Sequence, residues 1–437
     1  MSVDLAVKDR MKADWNQRAK EDAHYYVAFG RRDQTEDDFY ATASEVLAGL
    51  QWELRHLGPT ANPRARRALE IGCGPGRLIK PMSRYFGEIH GVDVSDQMIA
   101  MARERLHDVP HAHVHATDGA SLSQFADESF DFIYSYAVFQ HIPSRDVVLE
   151  YCREAHRVMK PGAVLRAQFN GLPQNFPTYD TWSGVRFTAQ DLIDFTRQYD
   201  FQMLSLDGIE TQYMWTTWRK RERGWRDRIK TNPPPSTARI RRITNAFNSE
   251  PLAPASGRYA SVSIWVEGLP NEIDINDLEV LIDGRPARIT YLGPPDVSGM
   301  QQVNAILPAL ERGGMLKVEM QWFGRPIAPI SFLRVIPPGP QVPRVVSITD
   351  GINLVAGTRI ETGTFKVALE EVEDVTTFAA EIDGVPVRDI EAFCTDPQPR
   401  RYEVNFKLPL ETAPGPHVLR MSMGRRKLGP VGIEVAG

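Results

Sequence analysis

Glu70, Asp93 and Asp118 are the acids whose setting could do chemistry. Each lies at the end of a short apolar run, and the first opens onto a glycine-rich bend. The bend reads Leu69-Glu-Ile-Gly-Cys-Gly-Pro-Gly-Arg77, with glycines at 72, 74 and 76. A side chain at such a position would hold the backbone away from a ligand, and a helix opening after the bend offers free N–H groups to a carboxylate. Asp93, 23 residues after Glu70 in Gly91-Val-Asp, stands where an acid can accept both ribose hydroxyls of a nucleoside. Asp118, in Thr117-Asp-Gly119, stands where a carboxylate can receive an adenine amino group. Three acids on the carboxyl ends of successive strands, beside a glycine bend, describe a nucleoside pocket at the edge of a doubly wound sheet. Taken singly, Asp93 or Asp118 reads equally as a helix cap or a loop acid. A dinucleotide-binding Rossmann domain would place its third glycine one position later, as GxGxxG, and leaves Asp118 without a task.

The elements that must position these residues alternate. Strands are expected at 68–71, 89–92, 113–116, 130–135 and 163–169. Helices are expected at 76–85, from a cap at Ser95 to 106, from a cap at Ser144 to 159, and at 188–199. Lys160-Pro-Gly162 turns the chain into the fifth strand. Strands at 201–206 and 211–218 follow, joined around Asp207-Gly208 by too few residues for a crossover, so the last strand should be antiparallel. This predicts an α/β, doubly wound, Rossmann-like domain over 1–230, with a mostly parallel seven-stranded sheet.

Beyond Asn232-Pro-Pro-Pro-Ser236, a stiff proline spacer, helical texture gives way to short β-rich stretches. This half repeats itself with a period of about one hundred residues. Ile243-Thr-Asn-Ala-Phe-Asn248 answers Ile348-Thr-Asp-Gly-Ile-Asn353, and Ile282-Asp-Gly-Arg-Pro286 answers Ile382-Asp-Gly-Val-Pro386. Val303-Asn-Ala-Ile-Leu-Pro308 answers Val404-Asn-Phe-Lys-Leu-Pro409, and Gly324-Arg325 answers Gly424-Arg425. The spacing of strands and Asp-Gly turns predicts two all-β sandwiches, at 237–338 and 341–437, separated by a seam at 336–340. They resemble bacterial immunoglobulin-like modules in architecture.

Residues 10–220 resemble the class I S-adenosylmethionine-dependent methyltransferases, especially the bacterial enzymes of small molecules. The matching stretches are 69–77, Gly91-Val-Asp-Val-Ser95, Ala116-Thr-Asp-Gly119, Phe130-Asp-Phe-Ile-Tyr134 and Arg157-Val-Met-Lys-Pro-Gly162. The resemblance implies S-adenosyl-L-methionine as cofactor and S-adenosyl-L-homocysteine as product. It implies that Gly72, Cys73, Gly74 and Gly76, after Glu70, wrap the amino-acid end. Asp93 would hold the ribose, with Met98 and Gly119 near the adenine and Asp118 bonding its amino group, and Val94 and Tyr136 would also belong to the cofactor-binding set. Tyr136 opens the loop after the fourth strand, where the methyl should emerge. In that loop His141 is the candidate base or acceptor-orienting group, with Gln140 beside it; packing of the loop is the alternative duty for His141. In the N-terminal helix, Trp15, Arg18, His24, Tyr25 and Tyr26 suggest a lid over the cofactor. Arg18 would meet a carboxylate while Tyr25 and Tyr26 shield the methyl donor; the alternative is an amphipathic helix with its aromatics in the core.

Composition narrows the rest. The 437 residues are 42% hydrophobic and 24% charged with a net charge of −5, which supplies no global field for nucleic acid or membrane. The start, MSVDLAVKDRMKADW, has no apolar h-region, no apolar run reaches eighteen residues, and Cys73, Cys152 and Cys394 are scattered. A cytoplasmic protein with free thiols and no metal is expected. One basic run, 219–242, holds ten basic and two acidic residues. It reads either as a landing strip for a phosphate-bearing partner or, preferably, as a solvated face pairing with neighbouring acids. The expected function is methyl transfer to oxygen or nitrogen of a small molecule or glycan, with the sandwiches as accessories for dimerisation, an acceptor cleft or docking. RNA or protein methylation guided by 219–242, and a cofactor-binding scaffold without catalysis, are the rivals.

Overall fold

The computed structural model describes residues 5–28, 34–58, 62–173, 179–337, 342–352, 357–396 and 399–436. The seam at 338–340 and Asn353 of the second repeat lie outside them. Five strands pair in parallel in the order β3-β2-β1-β4-β5: β1 (Arg67–Ile71), β2 (Glu88–Asp93), β3 (Ala112–Ala116), β4 (Phe130–Ser135) and β5 (Met159–Phe169). β6 (Phe201–Asp207) forms the edge, and β7 (Met214–Lys220) runs antiparallel between it and β5. This is the seven-stranded sheet expected from the alternation. The helices are α1 (Leu5–Ala28), α2 (Glu36–Ala41), α3 (Ser44–Glu53), α4 (Ile79–Met82), α5 (Asp96–Arg105), α6 (Arg145–Val158), α7 (Ala189–Gln198) and α8 (Trp225–Thr231). None of the described helices is long and apolar enough to cross a membrane.

Several boundaries differ from the sequence reading, each for a physical reason. The helix expected at 76–85 is reduced to α4 and a 3-10 turn at Ser83–Tyr85. Pro81 has no N–H to return to the preceding turn, and Gly76 sits at φ +86°. Pro161-Gly162 does not stop the chain. It forms a wide bulge inside β5, where Phe130 and Phe132 of β4 face Met159 and Val164. Ser144 precedes α6 without a side-chain cap, whereas Ser95 Oγ accepts from Met98 N at 3.1 Å as expected.

The first rear unit comprises β8 (Arg239–Asn245), β9 (Leu252–Pro254), β10 (Ser261–Glu267), β11 (Leu278–Ile282), β12 (Arg285–Leu292), β13 (Met300–Ile306), β14 (Gly314–Trp322), β15 (Arg325–Pro326) and β16 (Ser331–Ile336). The second comprises β17 (Arg344–Asp350), β18 (Arg359–Ile360), β19 (Thr364–Glu370), β20 (Phe378–Ile382), β21 (Val385–Pro386), β22 (Arg388–Asp396), β23 (Arg401–Lys407), β24 (Gly415–Met423), β25 (Arg426–Lys427) and β26 (Val431–Val435). Their pairings match: β8-β10-β13-β12 answers β17-β19-β23-β22, and β9-β16-β14-β11 answers β18-β26-β24-β20. The repeated Asp-Gly turns serve the same bend, with Asp283 and Asp383 at φ 52° and 49° before Gly284 and Gly384.

The two units relate differently to the front half. The second has its own apolar core, with Phe365, Val367, Leu419 and Met421 facing one another across its two sheets. The first does not: Trp225, Ile229, Ala238 and Ile243 belong to one core with Phe201, Trp218 and Leu69. The proline segment therefore spaces nothing apart. Residues after β10 cover the open edge of β6: Asp274 Oδ2 accepts from Met203 N at 2.6 Å, and Ile275 N donates to Met203 O at 3.1 Å. Tyr291 of β12 then pairs with Ser205, joining the sheets of the two halves.

Candidate active site

β1 delivers Glu70 to the carboxyl edge of the sheet, where it is buried and accepts from Tyr134 OH at 3.1 Å. Burial raises its carboxyl well above the usual range, partly offset by the Tyr134 hydroxyl and the Arg77 charge. The chain then bends through Gly72 (φ +73°) and Gly74 (φ +49°). A Cβ on Gly72 would stand 2.2 Å from Val138 Cγ2, so this position combines a left-handed backbone with a close approach. Cys73 wedges beneath the bend against Gly91, whose Cβ would be 2.8 Å from the sulfur. Its thiol is pushed up by burial.

Asp93 at the tip of β2 ties the bend to the next helix. Its Oδ2 accepts from Gly74 N and its Oδ1 from Ser95 N, both at 2.9 Å. Burial raises its carboxyl above the usual value, partly offset by these N–H donors. A cavity opens beside it. Of the residues singled out from sequence, Glu70, Gly72, Cys73, Gly74, Asp93, Val94, Met98, Tyr136, His141, Trp15 and Tyr26 line this cavity.

The others stand elsewhere. Gly76 packs behind the bend on Leu106 and Ala102, and Gly119 (φ +93°) packs on Val94 and Met11. Asp118 is not among the residues that line the cavity. Lys8 Nζ takes its Oδ2 at 2.6 Å, while Ala120 N and Ser121 N donate to Oδ1 at 3.1 and 2.8 Å. Arg18 does not meet a carboxylate through a hydrogen bond; it donates to Thr181 O at 2.8 Å and Thr181 Oγ1 at 3.0 Å beneath the rings of Trp15 and Trp182. Tyr25 turns away from the cavity, its OH donating to Ile352 O of the second rear unit at 3.5 Å, because Asp22 breaks α1 and its Oδ1 caps the short segment after it through Tyr25 N. His24 is stacked on Phe39, 4.3 Å between centroids.

The loop after β4 is held by a polar chain. Gln168 Oε1 accepts from Ala137 N at 2.9 Å, Gln168 Nε2 donates to Gln140 Oε1 at 2.6 Å, and Gln140 Nε2 faces His141 Nε2 at 3.2 Å. His141 Nδ1 lies 2.7 Å from Trp182 O, which assigns the proton to Nδ1 and leaves Nε2 as acceptor for the Gln140 amide. Burial lowers its pKa to about 4. The ring is therefore neutral with its basic nitrogen engaged. Gln140 itself lies behind this ring, outside the cavity wall.

Sequence reasoning missed Arg77, although it directly follows the third glycine. It lines the cavity, is 4% exposed, and donates from Nη1 to Thr42 Oγ1 at 2.7 Å. Its Nε has no hydrogen-bond partner among the described residues. Met11 and Val27 of α1, with Leu78, Ala137, Val138, Ile142 and Tyr151, complete the wall; nothing in their spacing singles them out. Among the described residues no group of His, Cys, Asp and Glu has the geometry to hold a metal.

Residues 69–167 match the family model described as a methyltransferase domain. A ubiquinone biosynthesis O-methyltransferase of Ruegeria pomeroyi is 31% identical over 176 residues, covering 36% of this chain and 67% of that protein. The chain belongs to the S-adenosylmethionine-dependent methyltransferases. This methyltransferase is also 35% identical over 96 residues to phosphoethanolamine N-methyltransferase 2 of Caenorhabditis elegans, covering 22% of this chain and 21% of that one. With trans-aconitate 2-methyltransferase of Variovorax paradoxus it shares 33% over 142 residues, 32% of this chain and 47% of that one. It thus spans from a fifth to about half of those two relatives. Among solved structures, phosphoethanolamine N-methyltransferase 1 of Haemonchus contortus, in complex with phosphoethanolamine and S-adenosylhomocysteine, aligns at TM-score 0.38 with 15% identity, covering 51% of each chain.

Proposed function

We propose that the methyltransferase acts on oxygen or nitrogen of a small molecule or glycan, and that its second, immunoglobulin-like rear unit shapes the acceptor side of the site. The observation that carries this reading is the strapping of α1 across the cavity. Lys8 pairs with Asp118 at 2.6 Å, Lys12 with Asp96 at 2.8 Å, Ser95 Oγ meets Asn16 Oδ1 at 2.8 Å, and Arg18 holds Thr181. A helix fastened at four points leaves room for a compact acceptor and obstructs a polymer. The names of the matched relatives, which cite phosphoethanolamine, trans-aconitate and ubiquinone biosynthesis, support the same class. Tyr25 touching Ile352 brings the second unit to the end of this strap, and Arg258 of the first unit anchors it through Glu370 at 2.9 Å.

The residues present fit S-adenosylmethionine, because the cavity offers a glycine bend, a buried carboxylate and a buried guanidinium with a free donor. In this reading Gly72 and Gly74 admit the amino-acid end, Asp93 receives the ribose hydroxyls on its remaining lone pairs, and Met98 and Val94 floor the adenine. Arg77 Nε–H donates to the carboxylate. The bound sulfonium supplies an activated methyl. Trp15, Tyr26 and Tyr136 exclude water and aim the acceptor for in-line attack, which is where most of the rate advantage of such transfers arises. His141, neutral and hydrogen-bonded on both nitrogens, positions the loop rather than taking the proton. An acceptor screen measuring S-adenosylhomocysteine release tests the reading. Release with hydroxylated or aminated small molecules is expected; release that requires RNA or a protein would overturn it. Deleting 1–30 should weaken cofactor affinity, and unchanged binding would remove the strap.

A further inference from the structure

The basic run has a use that the transfer reaction leaves untouched. Most of its charges are spent within the fold. Arg226 pairs with Asp274 at 3.0 Å and with Asp277, Arg228 with Glu222 at 3.2 Å, and Arg241 Nε donates to Glu267 at 2.7 Å, while Arg242 lies 4.4 Å over Trp265. Arg219 and Arg221 differ. Two residues apart, they converge on one neutral atom, Gln202 Oε1, with Arg221 Nε at 2.7 Å and Arg219 Nη1 at 3.5 Å. Their other acceptors are main-chain carbonyls, His56 O for Arg219 at 3.0 Å and Asn271 O for Arg221. No carboxylate among the described residues hydrogen-bonds or pairs with either, the charges of Glu272, Asp274 and Glu222 acting on Arg221 from beyond ion-pair distance. Burial, together with the Arg221 charge, lowers the Arg219 pKa to about 10, as expected for a guanidinium held without a counter-charge.

Both arginines open into a groove between the methyltransferase half and the first rear unit. Arg55 is on its wall, and Asp296 is the one acid among its described lining residues. The groove is remote from methyl transfer. Arg219 registers with Val164 near the start of β5, and Gly162 lines the groove, so it lies at the amino ends of the parallel strands, opposite the cofactor cavity. Two forked guanidiniums side by side suit the bidentate acceptor geometry of a phosphoryl group. Their recession in a groove selects a terminal phosphate on a small molecule over a nucleic-acid backbone, which is met by exposed cations.

We propose that Arg219 and Arg221 form an anion site, separate from the active site, for a phosphate-bearing small molecule. Calorimetric titration of the full chain with inorganic pyrophosphate, in a chloride buffer, tests it. Wild type should show saturable binding. Arg219→Gln and Arg221→Gln should each weaken it at least tenfold, and Arg228→Gln, outside the groove, should leave it unchanged. Affinity for S-adenosylhomocysteine, measured on the same samples, should be the same in all four proteins, which also certifies folding. Should Arg219→Gln fail that control, Arg221→Gln and Arg55→Gln decide. Absence of saturable binding to wild type would overturn the site, as would equal weakening by Arg228→Gln or tighter binding of a short RNA than of pyrophosphate. Loss of S-adenosylhomocysteine binding in wild type would instead count against the cofactor assignment.

Discussion

Replacing Arg77 by Met should separate the two ends of the cofactor. The guanidinium is 4% exposed, its Nε has no partner among the described residues, and burial pushes the carboxyl of neighbouring Glu70 well above its usual range. A ligand carboxylate arriving at Nε would therefore form a desolvated charge pair. Truncating one member of such a pair costs about 2–5 kcal/mol, so the Kd of S-adenosylhomocysteine should rise by roughly 30-fold to several thousand-fold. The ring packing of Arg77 on Phe39 (5.6 Å) and Tyr136 (5.7 Å) is lost as well, a change felt by any ligand. 5′-Methylthioadenosine, which has the adenosine and sulfur but no amino-acid tail, measures that common part. Calorimetry of both ligands on wild type and Arg77→Met gives the ratio, which should change at least tenfold in favour of the tailless ligand. Equal weakening of both, or of neither, would refute the carboxylate assignment.

Gly72→Ala should abolish cofactor binding, since its φ is +73° and the new methyl would overlap Val138; a melting shift with S-adenosylhomocysteine reports it. His141→Gln should retain the shape of the pH–rate profile between pH 6 and 9, because the wild-type ring, with a pKa lowered to about 4, does not titrate there; loss of an ionisation in that window would restore it as a base. Glu370, 4% exposed, is met by Arg258, Arg344 and Arg401. Glu370→Gln should lower the stability of the second rear unit by on the order of 1–3 kcal/mol and raise KM for the acceptor while sparing cofactor affinity. His90, His141 and His156 have folded pKa values lowered to about 4. They stay neutral in the fold but protonate near 6.5 when unfolded, so the stability they contribute is complete above about pH 6.5 and is lost as pH falls toward 4. His90→Gln should flatten the dependence of the melting temperature on pH over that interval.

The parallel sheet and its glycine bend were legible because each strand is a short apolar run ending in an acid or a turn, signals that act within a few residues. The repeat was legible because turn chemistry is local too: Asp-Gly at 283 and 383 demands the same backbone. What escaped depends on distant partners. The pairing of Asp118 with Lys8, 110 residues earlier in the chain, is one example. Thr35 and Asp38 form a capping box that starts α2, yet the apolar faces of α2 and α3 are too short to announce themselves. Arg77 could have been weighed from its place beside Gly76, but its missing partner is visible only in three dimensions. Prolines 233–235 read as a spacer because stiffness is a local property, whereas the continuity of Trp225 and Ala238 with one core is not.

The pairing of Tyr291 with Ser205, and the sealing of β6 by residues 273–275, bear on how this protein can be cut. Ending a recombinant fragment near residue 230 would bare amide and carbonyl groups along β6, those of Met203 among them. Such a fragment is expected to self-associate through that edge. A fragment ending near residue 337 keeps the seam closed and is the shortest one expected not to self-associate through that edge.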